Sequence, residues 1–138
     1  MSVAPELDDD LDPAVVVIDD DRASLDLMSA YLAGHGVRVV RARDGKEGLD
    51  AVRRLRPVAT VLDILLPGID GWEVLETLRA DPETQALPVI IASIVDERSR
   101  GLAAGAAEYL VKPVGRDELL AALRRIQVLP IQRIGRSA

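Results

Sequence analysis

Five times along this chain a short apolar run gives way to a turn signal and then to a helical pattern, and that alternation sharply limits how it can fold. The runs are residues 14–18, 37–40, 58–62, 89–92 and 109–111. Pro13, Pro57 and Pro88 each stand just before a run, where a missing backbone N–H does least harm to a strand. Between the runs, Leu25, Met28 and Leu32, then Leu49, Val52 and Leu55, then Val74, Leu75 and Leu78, and finally Leu119, Leu123 and Ile126 recur at spacings of three and four. Each set makes one apolar stripe on a helix. Asp44 with Glu47, and Asp70 with Glu73, have the spacing of helix N-caps. Residues 96–104 form a weaker helix, with Gly101 inside it and Gly105 as its C-cap.

Five strands alternating with five helices through short connections predict an α/β fold, a parallel sheet with helices on both faces. The runs at 14–18, 58–62 and 89–92 are apolar throughout, as strands covered on both faces should be. The run at 37–40 carries Arg38 and the last strand opens at Glu108, which suits these two to the edges. The strand order expected is therefore 2-1-3-4-5, a doubly wound arrangement whose chemistry lies beyond the carboxyl ends of the strands.

A chain of 138 residues is about one domain's worth, with 49% apolar residues to bury. Trp72, Tyr31 and Tyr109 are its only aromatics, so the core must be aliphatic. The absence of Cys excludes disulfides and thiolate metal sites. No apolar run approaches the roughly 18 residues of a membrane span, and the amino terminus is acidic, so a cytoplasmic address without a membrane partner is expected. The net charge of −6 argues against direct nucleic-acid binding. Residues 1–12, with Glu6, Asp8, Asp9, Asp10 and Asp12, read as a solvated acidic tail, 13–127 as the domain, and 128–138 as a tail or linker start. His35, between Gly34 and Gly36, reads as a surface loop residue, and Trp72 as packing.

The residues just past each strand carry the chemistry. Strand one ends in Asp19-Asp20-Asp21, strand three in Asp63, strand four in Ser93, and strand five in Lys112-Pro113. Parallel strands bring all of these to one edge. Packed carboxylates repel and are costly to desolvate unless a cation intervenes. Mg²⁺ suits such a site: it takes hard oxygens at ~2.1 Å, keeps several waters and commonly sits between carboxylates and a phosphate. Asp63, alone on its strand, is the natural nucleophile, since carboxylates form acyl phosphates. Phosphoryl transfer needs mainly positioning and charge neutralisation, which Mg²⁺, Lys112 and the Ser93 hydroxyl can supply.

The segments Val-Val-Val-Ile-Asp-Asp-Asp at 15–21, Val-Leu-Asp-Ile-Leu-Leu-Pro-Gly-Ile-Asp-Gly at 61–71, Pro-Val-Ile-Ile-Ala-Ser at 88–93 and Gly-Ala-Ala-Glu-Tyr-Leu-Val-Lys-Pro at 105–113 resemble the successive blocks of a response-regulator receiver domain, the CheY-like family. Each block alone is a weak signal; four in order at receiver spacing are a strong one. The resemblance implies a flavodoxin-like fold and a role as phosphoacceptor in two-component signal transduction. It implies phosphoryl transfer to Asp63 from a histidine kinase or histidine phosphotransfer domain, and a change on the face of the fourth helix, fifth strand and fifth helix that an unknown downstream effector reads. By position, Asp63 matches the phosphoacceptor. Asp19, Asp20, Asp63 and the Leu65 backbone carbonyl match the holders of Mg²⁺, with Mn²⁺ as an alternative. Lys112, Ser93 and Tyr109 match the phosphate partner, the switch hydroxyl and the switch aromatic. The Lys112–Pro113 bond is expected to be cis. Beyond Mg²⁺-dependent self-phosphorylation and dephosphorylation, the resemblance implies no enzyme.

The chain departs from the family pattern in places. The switch hydroxyl is Ser where Thr is commoner, and Ile94 follows where many members have Ala. The two positions that tune hydrolysis, Leu65 and Val95, are apolar, and Ala107 and Ala122 replace the charged pair of one dimerising subgroup. Two other readings compete. A degenerate receiver would act as a phosphorylation-independent binding module. Asp19-x-Asp21 after a strand also resembles the start of haloacid-dehalogenase-type phosphatases, but that reading leaves Asp63 unexplained and wants an acidic pair after the lysine, where only the helical Asp117 and Glu118 occur.

Overall fold

A computed structural model describes residues 12–129. Five strands, β1 (Ala14–Ile18), β2 (Arg38–Ala42), β3 (Ala59–Leu62), β4 (Val89–Ser93) and β5 (Glu108–Val111), alternate with five helices, α1 (Arg22–Leu32), α2 (Gly45–Leu55), α3 (Gly71–Ala80), α4 (Arg98–Ala103) and α5 (Arg116–Arg125). All pairings are parallel, in the order β2-β1-β3-β4-β5. The expected doubly wound sheet is therefore present, with β2 and β5 at its edges.

Side chains alternate across a strand, and β1 divides accordingly between two cores. Val15 and Val17 face α1 and α5, packing with Leu25, Met28, Leu119 and Leu123. Val16 and Ile18 face α2 and α3, packing with Leu49, Val52, Val74 and Leu75. Every residue of β1, β3 and β4 is buried, which is why these strands read as unbroken apolar runs. The edge strand β2 differs from expectation, running to Ala42 and not stopping at Val40. Arg41 interrupts its apolar pattern because that side chain is exposed and pairs with Asp26 on α1.

Both predicted caps form. Asp44 accepts from the Glu47 N–H at 2.8 Å, and Asp70 and Glu73 complete a reciprocal box at 3.0 and 3.2 Å. At α4 the C-cap is Ala104; Gly105 follows it with φ of +104°. The Lys112–Pro113 bond is cis. The core also extends past residue 127: Leu129 is buried against the α1–α5 face, and the Val128 N–H donates to the Leu123 carbonyl. Residues 1–11 and 130–138 lie outside the described residues, and with them most of both expected tails. No described helix is long and apolar enough to cross a membrane.

Candidate functional site

Sheet register decides which side chains meet. Ile18 pairs with Leu62, so the next residues, Asp19 and Asp63, leave the sheet side by side, and the Asp63 N–H donates to the Ile18 carbonyl at 3.0 Å. Leu62 pairs with Ile91 and Ser93 with Val111, which carries the same edge on to Ser93 and Lys112; the Lys112 N–H donates to the Ser93 carbonyl at 2.8 Å. Four strands thus deliver a carboxylate, a second carboxylate, a hydroxyl and an ammonium to one place.

There the Lys112 ammonium spends its three protons on three acceptors. It donates to Asp19 Oδ2 at 2.7 Å, to Asp63 Oδ2 at 3.1 Å and to Ser24 Oγ at 3.2 Å. Asp19 and Asp63 are buried, and Asp20 beside them is exposed. The remaining oxygens are held by backbone: Asp19 Oδ1 accepts from the Asp21 N–H at 2.9 Å, and Asp63 Oδ1 from the Leu65 N–H at 3.1 Å. Burial raises the Asp19 carboxyl above its ordinary range, more than the Lys112 hydrogen bond and charge bring it down. Burial pulls the Lys112 ammonium down, and the hydrogen bonds and charges of Asp19 and Asp63 outweigh it, so its pKa is raised. The lysine stays charged, and Asp19 remains short of positive charge.

Carboxylate oxygens of Asp19, Asp20 and Asp63 all lie within 4.8 Å of one another. Three carboxylates against one ammonium leave an excess of negative charge that a divalent cation would offset. Every donor in the set is a hard oxygen, and the exposure of Asp20 leaves room for water ligands, so the residues fit Mg²⁺ or Mn²⁺.

Ser93 is fully buried, and its Oγ accepts from the Val95 N–H at 3.3 Å. Tyr109 is buried too, its hydroxyl donating to the Val95 carbonyl and accepting from the Glu97 N–H at 3.1 Å. Its ring lies against Gly101, where even a methyl group would meet it at 2.5 Å. The loop between β4 and α4 is thus tied to both predicted switch residues. Beside the carboxylates lies a cleft of about 550 Å³, lined by Asp20, Leu65, Leu66, Pro67, Trp72 and Val95. A smaller pocket of about 260 Å³, lined by Val52, Arg56, Pro57 and Leu87, lies near the start of β3 and β4, at the sheet edge opposite the carboxylates.

Sequence reasoning passed over two features. Ser24, on α1, touches Lys112, but a serine on the first turn of a helix reads as polar surface. Arg100 stacks over Trp72 at 3.9 Å, joining α4 to α3; the partner of Trp72 carried no signal in the sequence. His35 is half-buried in its loop and takes no part in the site.

A doubly wound parallel sheet with an acidic cluster and a lysine at its carboxyl edge is the architecture of CheY-like receiver domains. Residues 15–124 match the response regulator receiver domain family, and the chain belongs to it. Response regulator MprA of Mycolicibacterium vanbaalenii is 40% identical over 129 residues, covering 90% of this chain and 55% of MprA. The receiver domain of a Francisella response regulator is 32% identical with a TM-score of 0.76, covering 83% of this chain and 95% of that one. Chemotaxis response regulator CheY4 of Vibrio cholerae is 26% identical with the same TM-score, covering 83% and 98%. The chain spans about half the length of the curated relatives it matches.

Proposed function

We propose that this receiver domain takes a phosphoryl group on Asp63 from a phosphohistidine of a histidine kinase or histidine phosphotransfer domain. A carboxylate oxygen of Asp63 forms the new O–P bond while the P–N bond breaks, its electron pair staying with the imidazole. The observation that carries this reading is the Lys112 ammonium held between Asp19 Oδ2 and Asp63 Oδ2, at 2.7 and 3.1 Å. A lysine so placed neutralises charge at an acceptor and stays bound to the phosphoryl oxygens afterwards. Asp19, Asp20, Asp63 and the Leu65 carbonyl would hold Mg²⁺ in this reading, which would supply further charge neutralisation beside the acceptor. The Leu65 N–H, donating to Asp63 Oδ1 at 3.1 Å, holds that carboxylate in place.

Ser93 donates its hydroxyl proton to the new phosphoryl group, and the Val95–Glu97 loop, tied to Tyr109, follows it. That couples chemistry to the face formed by α4, β5 and α5, which a downstream effector reads. The phosphoryl group adds roughly two negative charges and strong acceptors, enough to bias such a loop.

Intact mass after incubation with acetyl phosphate and Mg²⁺ tests the acceptor. One added phosphoryl group is expected, lost in Asp63→Asn and prevented by EDTA. Labelling of the Asp63→Asn variant at Asp19 would instead support the phosphatase-like reading, and a parent that never labels would support a binding module.

A further inference from the structure

Asp21 and Ser24 have no part in the phosphoryl transfer itself, yet they form a chain of hydrogen bonds that ends on its lysine. Ser24 Oγ lies 3.2 Å from Lys112 Nζ and 3.1 Å from Asp21 Oδ2. Chemistry settles the direction of both bonds. An ammonium can only donate and a carboxylate can only accept, so the serine proton points to Asp21 and an oxygen lone pair faces Lys112. Asp21 is itself fixed, because its other oxygen caps α1 by accepting from the Ala23 N–H at 3.2 Å. Capping accounts for one oxygen of Asp21; the other orients Ser24.

We propose that Asp21 and Ser24 are positioning residues for Lys112, aiming its ammonium at the incoming phosphoryl group. The proposal rests on the reading of Asp63 as acceptor. Of the three acceptors around the ammonium, two change their bonding in that reaction. Asp19 would be shared with a bound divalent cation, and Asp63 gives up its negative charge on becoming an acyl phosphate. Ser24 alone keeps its bond to the lysine from start to finish. It tethers the ammonium to the first turn of α1 while the other partners change, and Asp21 keeps the hydroxyl from rotating its proton toward the cation.

Labelling rates with acetyl phosphate and Mg²⁺ test this on the whole chain. Ser24→Ala should label about tenfold more slowly, the scale of a lost hydrogen bond to a charged group, with an unchanged melting temperature. Ser24→Thr, which keeps the hydroxyl, should restore most of the rate. In a Lys112→Met background Ser24→Ala should have no further effect, since a residue that acts only through the lysine is silent without it. If that background labels too slowly, the same comparison is made on the half-saturating concentration of beryllofluoride, followed by Trp72 fluorescence. A parent-like rate in Ser24→Ala, or an equal loss with and without Lys112, overturns the proposal. Failure of the parent to label overturns the acceptor reading instead.

Discussion

Asp19 sits where its charge is least welcome. Burial is the largest influence on its carboxyl and raises it above the ordinary value of 3.8, with Lys112 only partly offsetting the effect. A carboxyl that holds its proton more tightly in the fold than in the unfolded chain favours the fold below 3.8, and that contribution is lost as pH rises through the folded value. At neutral pH the ionised Asp19 therefore weighs against the fold. In EDTA, Asp19→Asn should melt at a higher temperature than the parent at pH 7, and the gap should close in acid. Added Mg²⁺ should raise the parent's melting point and narrow the gap from the other side. Thermal melts with and without the metal check this; a variant less stable than the parent at neutral pH would refute it. Lys112 behaves oppositely: its raised pKa stabilises the fold up to the ordinary 10.5 and is lost only as pH climbs through the folded value. On the proposed reading, two apolar residues nearby would bear on how long a phosphoryl group on Asp63 lasts. Leu65 is 49% exposed and Val95 half-buried, and both line the cleft beside the carboxylates. Hydrolysis needs a water held in line with the departing Asp63 oxygen, and apolar side chains give such a water no partner. The phosphoryl group on Asp63 should persist for many minutes to hours in Mg²⁺, and a Leu65→Asn, Val95→Glu double variant should lose it several-fold faster. Decay of the parent within seconds would rule out such protection.

Among the elements, α3 starts directly against the backbone of Asp63. Its first residue, Gly71, lies against the backbone of β3's end, where a Cβ would stand 2.4 Å from the Asp63 carbonyl oxygen and 2.5 Å from the Ile64 Cα. Those are main-chain atoms and cannot swing aside, so the helix or the strand end must move. Gly71→Ala should therefore destabilise the protein by about 1–3 kcal/mol and also slow labelling of Asp63, read by chemical denaturation and intact mass. A variant with parent-like values in both would show that the helix can slide without disturbing the acceptor. Most elements were legible in the sequence for a physical reason. Buried central strands must be apolar at every position, and α2 and α3 announce themselves by Asp44 and Asp70 with a Glu three residues on. Boundaries were less legible where one face meets solvent. Arg38 and Arg41 on β2 blur an edge strand, and Val128 and Leu129 beyond α5 looked like a tail because Pro130 and Gly135 follow them. Ser24 was illegible as a site residue because nothing local distinguishes a hydroxyl that meets a lysine 88 positions away.

For the molecule as a whole, strand order was the most informative inference, because it turned four separate strand ends into one site before any distance was known. It could not supply the conformation of the β4–α4 loop. That loop is held by Tyr109 from one side and leads into α4, where Arg100 stacks on Trp72; neither contact leaves a trace in local sequence. If the loop carries the switch, amide exchange at residues 94–104 and along β5 should change on adding a phosphoryl mimic, while β1 and β3 stay protected. Uniform exchange across both groups would separate the chemistry from that face. The assembly of the site has a kinetic consequence as well. Lys112 reaches back 93 positions to Asp19 and 49 to Asp63, and both contacts depend on β5 closing the edge of the sheet. Contacts of such long range form late in folding, after the loop-closure entropy of everything between them has been overcome. On the proposed reading, a partly unfolded chain exposes Asp63 without its lysine and would be charged by a donor far more slowly until the last strand docks. In refolding from denaturant, competence to accept phosphate should return with the slowest structural phase and never ahead of it, so that the signal reports only on finished molecules.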